Sequence, residues 1–308
     1  MSRSAFQTGI VSTEGDDLFY KVRGTGIPLL FIAPSGGNGD YYLQVADILS
    51  KTYRVITYDR RANGRSSKCC PIGFDIRQQS RDALAVLEAA QEESAYMVGS
   101  GCGAVIALDL AAAFPDSVRA AVIHEPILPS ILPDSEKWLS FFRSCCEHGK
   151  KSGCSAGVNR LNLGIEMPAA KMALAKIRAG RYAVKEKLER KMKMIKSREA
   201  ADVLLSGELL PTALYSPDYD AIKENGAIVF IGCGKYGQDR GAWYAKSAKI
   251  LAEKLSCELI IFPGHHYSFM DQPKGWSTTL RKILQKSRII SSRKEGSSSY
   301  RLKAHSAL

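Results

Sequence analysis

The fold of this chain is decided by the stretch Val98-Gly99-Ser100-Gly101-Cys102-Gly103-Ala104, which joins a strand-like apolar run to a helix-like segment. Two interpretations fit small residues at such a turn. In the first, Gly99-x-Gly101-x-x-Ala104 is a dinucleotide fingerprint, with a pyrophosphate at the helix N-terminus and Glu125 at the end of the next strand. In the second, the stretch is a nucleophile elbow, G-x-Nu-x-G, whose glycines let strand and helix pack closely.

Strand-like and helix-like segments alternate on both sides of this turn. Short apolar runs of strand length lie at 28–33, 53–58, 95–98, 118–124, 227–231 and 259–262. Helical spacing is found at 40–50, 77–90, 102–114, 243–255 and 276–283. This order predicts an α/β fold with a doubly wound, mostly parallel sheet of about eight strands, because unbroken apolar strands need helices on both faces.

The alternation stops between about 130 and 222, where the sequence is helical throughout. We therefore predict a core made of residues 1–129 and 223–286, with a helical lid inserted at 130–222. The last residues, 287–308, are rich in Ser, Lys and Arg and predict a basic, flexible tail.

The chain has 308 residues and a net charge of +12, which is concentrated in two stretches. Residues 171–198 carry a net charge of +9 and residues 281–303 one of +7, so the remaining chain is slightly acidic. Such stretches fit either an anionic partner or solvated helix faces. We favour solvated helices and expect no nucleic acid, because no aromatic stacking platform accompanies the charge.

No stretch approaches the roughly 18 apolar residues of a membrane span, and the N-terminus lacks the apolar segment of a secretory signal. The eight cysteines include no C-x-x-C pair and are expected to be mostly small buried hydrophobes. We predict a cytoplasmic protein without a metal site or a cofactor.

Four segments resemble the α/β-hydrolase fold family, including lactonase-like and esterase-like members, over nearly the whole chain. They are the loop 33–40 (APSGGNGD), the turn 58–67 (YDRRANGRSS), the elbow and its helix at 99–107, and the loop from Phe262 to Pro273. The dinucleotide interpretation is disfavoured by position as well, because such fingerprints usually follow the first strand of a sheet. The resemblance implies the hydrolase fold, and small, largely apolar carbonyl substrates held under the lid.

The sequence departs from the family at the residue that matters most for covalent catalysis. The elbow pattern places the nucleophile at 101, which is glycine here, so no acyl-enzyme can form at that position. Cys102 is an alternative nucleophile, because a thiol at a helix N-terminus is expected to have a lowered pKa, although its side chain points about 100° away around the helix. Ser100, one position early, is a weaker candidate for the same reason.

The other parts of the site are present in the resemblance. His266 matches the family's histidine, because Pro273 follows it by seven residues as the family pattern has it. The acid is Glu125, at the end of the strand after the elbow helix, or Asp239, after the penultimate strand, and we prefer Glu125. The resemblance also places an oxyanion site at the backbone N–H groups of Gly36, Gly37 and Cys102, with Ser35 beside them.

The sequence favours two classes of function and leaves two further alternatives open. The first is an enzyme that uses a His266–carboxylate dyad and a backbone oxyanion hole, without a serine nucleophile, for lyase, isomerase or cyclase chemistry or for hydrolysis by an activated water. The second is a catalytically inactive hydrolase-fold protein that binds a small ligand or a partner. Hydrolysis with Cys102 as the nucleophile and dinucleotide binding are further alternatives, and we prefer the enzyme.

Overall fold

A computed structural model describes residues 6–66, 74–164, 177 and 197–305, with 197–199 and 293–305 described as backbone only. In these residues a single sheet has the strand order β1-β2-β4-β3-β5-β6-β7-β8. The strands are β1 (Phe6–Thr13), β2 (Asp16–Arg23), β3 (Ile27–Ile32), β4 (Tyr53–Tyr58), β5 (Ala95–Ser100), β6 (Val118–His124), β7 (Val229–Gly234) and β8 (Leu259–Phe262). Strands β3 to β8 run parallel, while β1 and β2 are antiparallel. The predicted α/β architecture is confirmed.

Helices cover both faces of the sheet. They are α1 (Leu43–Leu49), α2 (Ile76–Ala89), α3 (Cys102–Ala113), α4 (Ser135–Ser152), α5 (Cys154–Gly164), α6 (Ser197–Val203), α7 (Leu209–Ala213), α8 (Tyr219–Glu224), α9 (Lys235–Arg240), α10 (Trp243–Lys254), α11 (Ser268–Asp271) and α12 (Pro273–His305). Alternate residues of the central strands enter two cores: α2, α3 and α10 pack on one face, and α1, α11 and α12 on the other. This alternation is what a doubly covered parallel sheet requires.

The first two strands form a hairpin that the sequence did not predict. Its turn has Glu14 and Gly15 at φ 47° and 86°, the left-handed conformations of a tight hairpin turn. Strand β2 buries Lys21 and Arg23, which form ion pairs with Asp40 and Asp47. Those charges interrupt the apolar run by which the other strands were recognised.

The described residues between β6 and β7 are mostly helical and include α4 to α8 and a π-helical turn, Leu204–Glu208. Most of the basic stretch 171–198 lies outside the described residues, and the domain boundaries near 129, 222 and 286 stay predictions. Helix α12 continues to His305, so the backbone of the predicted flexible tail is helical almost to its end.

Within the described ranges, no helix is long and apolar enough to cross a membrane. The six cysteines that the structure describes are free thiols, and four of them are buried. Cys69 and Cys70 lie outside the described residues. The cytoplasmic location stays a prediction.

Candidate active site

The elbow between β5 and α3 has the backbone of a nucleophile turn. Gly101 adopts φ 59° and ψ −120°, a conformation that side-chain-bearing residues rarely take and that glycine takes without strain. A Cβ on Gly99 would overlap the carbonyl of Gly103, and one on Gly103 would overlap the carbonyls of Ile32 and Ala33. The small residues therefore serve close packing of strand and helix, as the elbow interpretation requires.

The space beside Gly101 faces a histidine. A Cβ built on Gly101 would lie 3.4 Å from Nε2 of His266 and 3.6 Å from Cβ of Pro34, which are ordinary van der Waals contacts. The first atom of a nucleophilic side chain would thus fit between the elbow and the imidazole. In this chain no side-chain atom occupies that position, and we refer to it as the gap between Gly101 and His266.

Glu125 holds the imidazole of His266 at the ring nitrogen that does not face Gly101. Both residues are buried, and Nδ1 of His266 lies 2.7 Å from Oε2 of Glu125. Because an ionised carboxylate only accepts hydrogen bonds, Nδ1 carries the proton and donates it, which leaves the lone pair of Nε2 facing Gly101. The imidazole therefore presents a base to the gap.

Glu125 is itself fixed by the backbone of β7. Its Oε1 accepts a hydrogen bond from the N–H of Gly234 at 2.7 Å, and the residue has a left-handed backbone, with φ 45°. Burial raises the pKa of this carboxyl, but the hydrogen bond from His266, the charge of that imidazole and the hydrogen bond from the N–H of Gly234 act against burial, and the pKa lies below its usual value. Glu125 is therefore held in its charged form.

The alternative acid and the histidine next to His266 have other partners. Asp239 forms an exposed ion pair with Lys235, at 3.0 Å on α9, and is not a partner of His266. His265, the other histidine of the loop, has Nε2 3.0 Å from Oδ2 of Asp271. Of the candidates, the structure brings together His266, Glu125 and Gly101.

Cys102 is not the activated thiol that its position at a helix N-terminus predicts. Its side chain is fully buried, with Sγ 3.0 Å from Oγ of Ser35. Burial raises the pKa of the thiol well above its usual range, and the charge of Glu208 raises it further. The expectation of a lowered pKa is wrong, because desolvation and a neighbouring carboxylate both disfavour the thiolate.

The predicted oxyanion donors are only partly available. The N–H of Gly37 donates to the carbonyl of Pro34 at 2.9 Å, so it closes a turn and does not face a ligand. Gly36 has φ 87°, and a Cβ there would lie 2.8 Å from the hydroxyl of Tyr41. Cys102 opens α3, where no preceding helical carbonyl receives its N–H. Gly36 and Cys102 are thus the candidate donors that remain.

A second buried histidine, His124, lies next to the His266–Glu125 pair. His124 has Nδ1 2.9 Å from Oγ of Ser100, and its ring stacks on that of His266 with centroids 6.3 Å apart. Burial lowers the pKa of His124 to about 4, with Glu125 opposing and His266 adding to that shift. His124 is therefore neutral at pH 7 and leaves Glu125 to His266.

Other residues near the site carried no signal in the sequence. A fully buried ion pair joins Arg60 to Glu208 of the π-helical turn, and Arg60 also donates to the carbonyls of Ala33 and Pro34 at 2.9 and 3.0 Å. Arg60 was part of the quoted turn at 58–67, but nothing in the sequence paired it with a glutamate 148 residues away. Among the described residues, no group of three or more His, Cys, Asp or Glu side chains is arranged to hold a metal ion.

This chain is similar in sequence to known hydrolases. Residues 27–273 match the model of a family described as the alpha/beta hydrolase fold. The uncharacterised hydrolase YraK of Bacillus subtilis is 29% identical over 279 residues, covering 90% of this chain and 96% of that protein. The putative carbamate hydrolase RutD of Azorhizobium caulinodans is 36% identical over 108 residues, covering 35% of this chain and 40% of that protein.

Solved structures show the same fold at lower identity. The enol-lactonase of Burkholderia xenovorans LB400 superimposes with a TM-score of 0.67 at 17% identity, covering 90% of this chain and 100% of that one. A thermophilic esterase of Thermogutta terrifontis superimposes with a TM-score of 0.66 at 18% identity, covering 91% and 99%.

Proposed function

Because the chain belongs to the α/β-hydrolase fold family, we propose that it is an enzyme acting on a small carbonyl or ester-type molecule without a covalent nucleophile at the elbow. One observation carries the proposal. Nε2 of His266 is oriented by Glu125 and faces the space beside Gly101, where a side chain at position 101 would begin. A site that only binds a ligand has no need of a buried, carboxylate-oriented imidazole.

His266 is the proposed general base. In a hydrolysis, its Nε2 takes a proton from a water molecule in the gap, the water oxygen forms a bond to the carbonyl carbon, and the imidazolium then returns the proton to the leaving oxygen as the C–O bond breaks. Glu125 stabilises the imidazolium and remains ionised throughout. The same base can remove a proton from the carbon beside a carbonyl, which is the first step of elimination, cyclisation or isomerisation.

Backbone N–H groups are proposed to stabilise the negative charge on the carbonyl oxygen. The N–H of Cys102 lies at the positive end of α3, and the loop that carries Gly36 lies directly beside it, with Ser35 on Cys102. Two such donors at the developing oxyanion typically contribute several kcal/mol, of order 3 kcal/mol each. In this assignment the thiol of Cys102 has no chemical role.

The relatives suggest the carbonyl class. Their names include a putative carbamate hydrolase, an enol-lactonase and an esterase. A carbamate, a lactone and an ester each have a carbonyl carbon bonded to oxygen, and a water activated by His266 would attack that carbon. We therefore propose a lactone, carbamate or simple ester as the substrate.

A second candidate follows from the glycine itself. Replacement of a nucleophile by Gly101 is also what an inactive, ligand-binding descendant of the family would show. The two candidates differ in whether His266 contributes to a rate.

The test is an assay of γ-butyrolactone, phenyl carbamate and p-nitrophenyl acetate with the wild type and His266→Ala. Turnover of at least one compound that falls by about 10²–10⁴ in His266→Ala supports the enzyme. If the wild type binds these compounds but both proteins leave them intact, the binding protein is the better description.

A further inference from the structure

A cavity lies at the edge of the sheet opposite to the candidate active site. It is found where β7 and β8 begin, between the ends of α8 and α10 and the side of α12, and has a volume of about 430 Å³. Glu125 is bonded to Gly234, at the other end of β7, so most of that strand, roughly 17 Å at about 3.3 Å per residue, separates the cavity from the His266–Glu125 pair. A cavity of this size can hold a small molecule.

The inner walls of the cavity are apolar. They are formed by buried or half-buried residues of α8, α12, the start of β7 and the end of α10, namely Ile222, Ile228, Val229, Phe230, Leu255 and Ile290. When an apolar group enters such a space, water leaves both surfaces, and binding is favoured roughly in proportion to the apolar area that is covered. We therefore expect a ligand with an apolar body.

The mouth of the cavity carries a net positive charge. The charged residues that line it are Lys223, Lys286 and Glu258, and all three are exposed. Lys286 forms an ion pair with Glu258, and both side chains are about half exposed. Among the residues that the structure describes, Lys223 forms no ion pair and no side-chain hydrogen bond. Its ammonium group is therefore available to an anionic group on a ligand.

The helix ends beside the cavity do not offer free carbonyl groups in place of the lysines. The carbonyl of Lys223, in the last turn of α8, accepts the N–H of Gly226 at 3.2 Å, and the carbonyl of Ala252, in the last turn of α10, accepts the N–H of Cys257 at 3.0 Å. Unpaired carbonyls at a helix C-terminus favour cations, but these two are already paired within the chain. The lysines therefore determine the sign of the ligand's charge.

We propose that this cavity binds a small carboxylic acid with an apolar body, with its carboxylate against Lys223 at the mouth and its body between the apolar walls. One unpaired ammonium group balances one negative charge, which favours a carboxylate over a doubly charged phosphate. A medium-chain fatty acid such as octanoate has this chemistry. The inference does not depend on the proposed function, because the cavity and the gap beside Gly101 lie at opposite edges of the sheet.

The probes are four compounds that separate the head group from the body: octanoate, octan-1-ol, octylamine and butanoate. Calorimetric titration of the wild type should show that octanoate binds more tightly than octan-1-ol, and octan-1-ol more tightly than octylamine. Butanoate should bind about 10²-fold more weakly than octanoate, because it lacks four methylene groups and each buried methylene contributes a factor of about four.

Lys223→Met tests the position of the carboxylate, because it removes the charge and keeps an unbranched side chain of similar length. We expect it to weaken octanoate binding by about threefold or more, as for an exposed ion pair, and to leave octan-1-ol unaffected. Lys249→Met is the matched control. Lys249 is an exposed lysine on α10 that does not line the cavity, so the variant makes the same change in net charge and should bind octanoate as the wild type does.

Glu258→Gln should change the affinity in the opposite direction. The substitution removes the negative charge at the mouth and releases Lys286 from its ion pair, so octanoate should bind more tightly than to the wild type, by about threefold. Octan-1-ol, which has no charge, should bind equally to both proteins. Because the three substituted side chains are exposed, we expect each variant to keep the wild-type circular dichroism spectrum.

Two outcomes would overturn the proposal. The first is a wild type that binds octylamine or octan-1-ol as tightly as octanoate, because the mouth would then not select an anion. The second is octanoate binding that Lys223→Met and Lys249→Met change equally, because the fatty acid would then respond to net charge or lie elsewhere, for example in the gap beside Gly101. The titrations measure no turnover, so they stand or fall separately from the assay of His266→Ala.

Discussion

The candidate site has an elbow side, which carries Gly101, and a histidine–carboxylate side, which carries His266 and Glu125. The two sides differ in the reactive groups that they present. On the elbow side, Gly101 retains the backbone of a nucleophile turn, with φ 59°, but carries no group that can react. On the opposite side, Glu125 and His266 retain both the geometry and the chemistry, with their side chains 2.7 Å apart and Glu125 held at φ 45°. Strained backbone at a non-glycine residue costs of order 1–3 kcal/mol and persists where the surroundings enforce it. We therefore expect catalysis to depend on the histidine–carboxylate side.

The largest effect is expected from removal of the imidazole of His266. His266→Ala should lower the rate by about 10²–10⁴, because the gap beside Gly101 loses its only oriented base among the described residues. His265→Ala is the matched control, since His265 is also buried and paired with a carboxylate, Asp271, but does not face Gly101. An equal loss in both variants would mean that the loop, and not the base, was damaged.

The close packing on the elbow side is tested by substituting its glycines with alanine. Gly103→Ala should destabilise the protein by about 2–3 kcal/mol, because its Cβ would overlap backbone carbonyls of Ile32 and Ala33 that cannot move aside cheaply. Gly101→Ala meets no such overlap and should cost only about 1 kcal/mol, for the left-handed backbone alone. Denaturant unfolding of both variants measures the difference, and equal costs would contradict the described close approach of α3 to β3.

The histidine–carboxylate side should be sensitive to acid. The pKa of His124 is lowered to about 4, so the unfolded chain binds more protons than the folded one between about pH 6.5 and pH 4. Stability should therefore fall as the pH is lowered through this window, by on the order of 3 kcal/mol at pH 4 and below. Glu125, whose pKa is also lowered, adds stability that is present above about pH 4.5 and is lost at still lower pH.

Unfolding curves of the wild type and His124→Gln at pH 7, 5.5 and 4 measure this effect. The variant should lose less stability than the wild type between pH 6.5 and pH 4. A parallel decline in both proteins would show that His124 is not buried in its neutral form.

A hydroxyl side chain can also be introduced at position 101. In Gly101→Ser the Cβ would lie 3.4 Å from Nε2 of His266, which puts the hydroxyl within hydrogen-bond reach of the base. A fluorophosphonate should label this variant and leave the wild type unlabelled at 101. The substitution should not raise the native rate, and we expect a modest decrease, because the hydroxyl occupies space used by substrate or water. An increase would show that the native reaction lacks a nucleophile that it needs.

The parallel sheet and the elbow were predictable because local patterns carry them, namely apolar runs and small residues at a turn. The choice of His266 came from the family resemblance, through its offset from Pro273. The β1–β2 hairpin was not, since buried Lys21 and Arg23 rely on acidic partners that only the fold brings near. The pKa of Cys102 was predicted in the wrong direction for the same reason, because burial and Glu208 come from distant parts of the chain. The choice of Glu125 over Asp239 as the partner of His266 also needed the structure, although both were candidates.

The central claim is that the site works through His266 without a covalent intermediate on the neighbouring Cys102. The most direct measurement is the intact mass of the wild-type protein, quenched at several times during turnover of a substrate found by the assay above, with the rate of Cys102→Ala on the same substrate. The account predicts an unmodified mass at every time and a rate for Cys102→Ala close to that of the wild type. An acyl adduct that maps to Cys102, together with a collapse of the rate in Cys102→Ala, would contradict it and give the nucleophile role to the thiol.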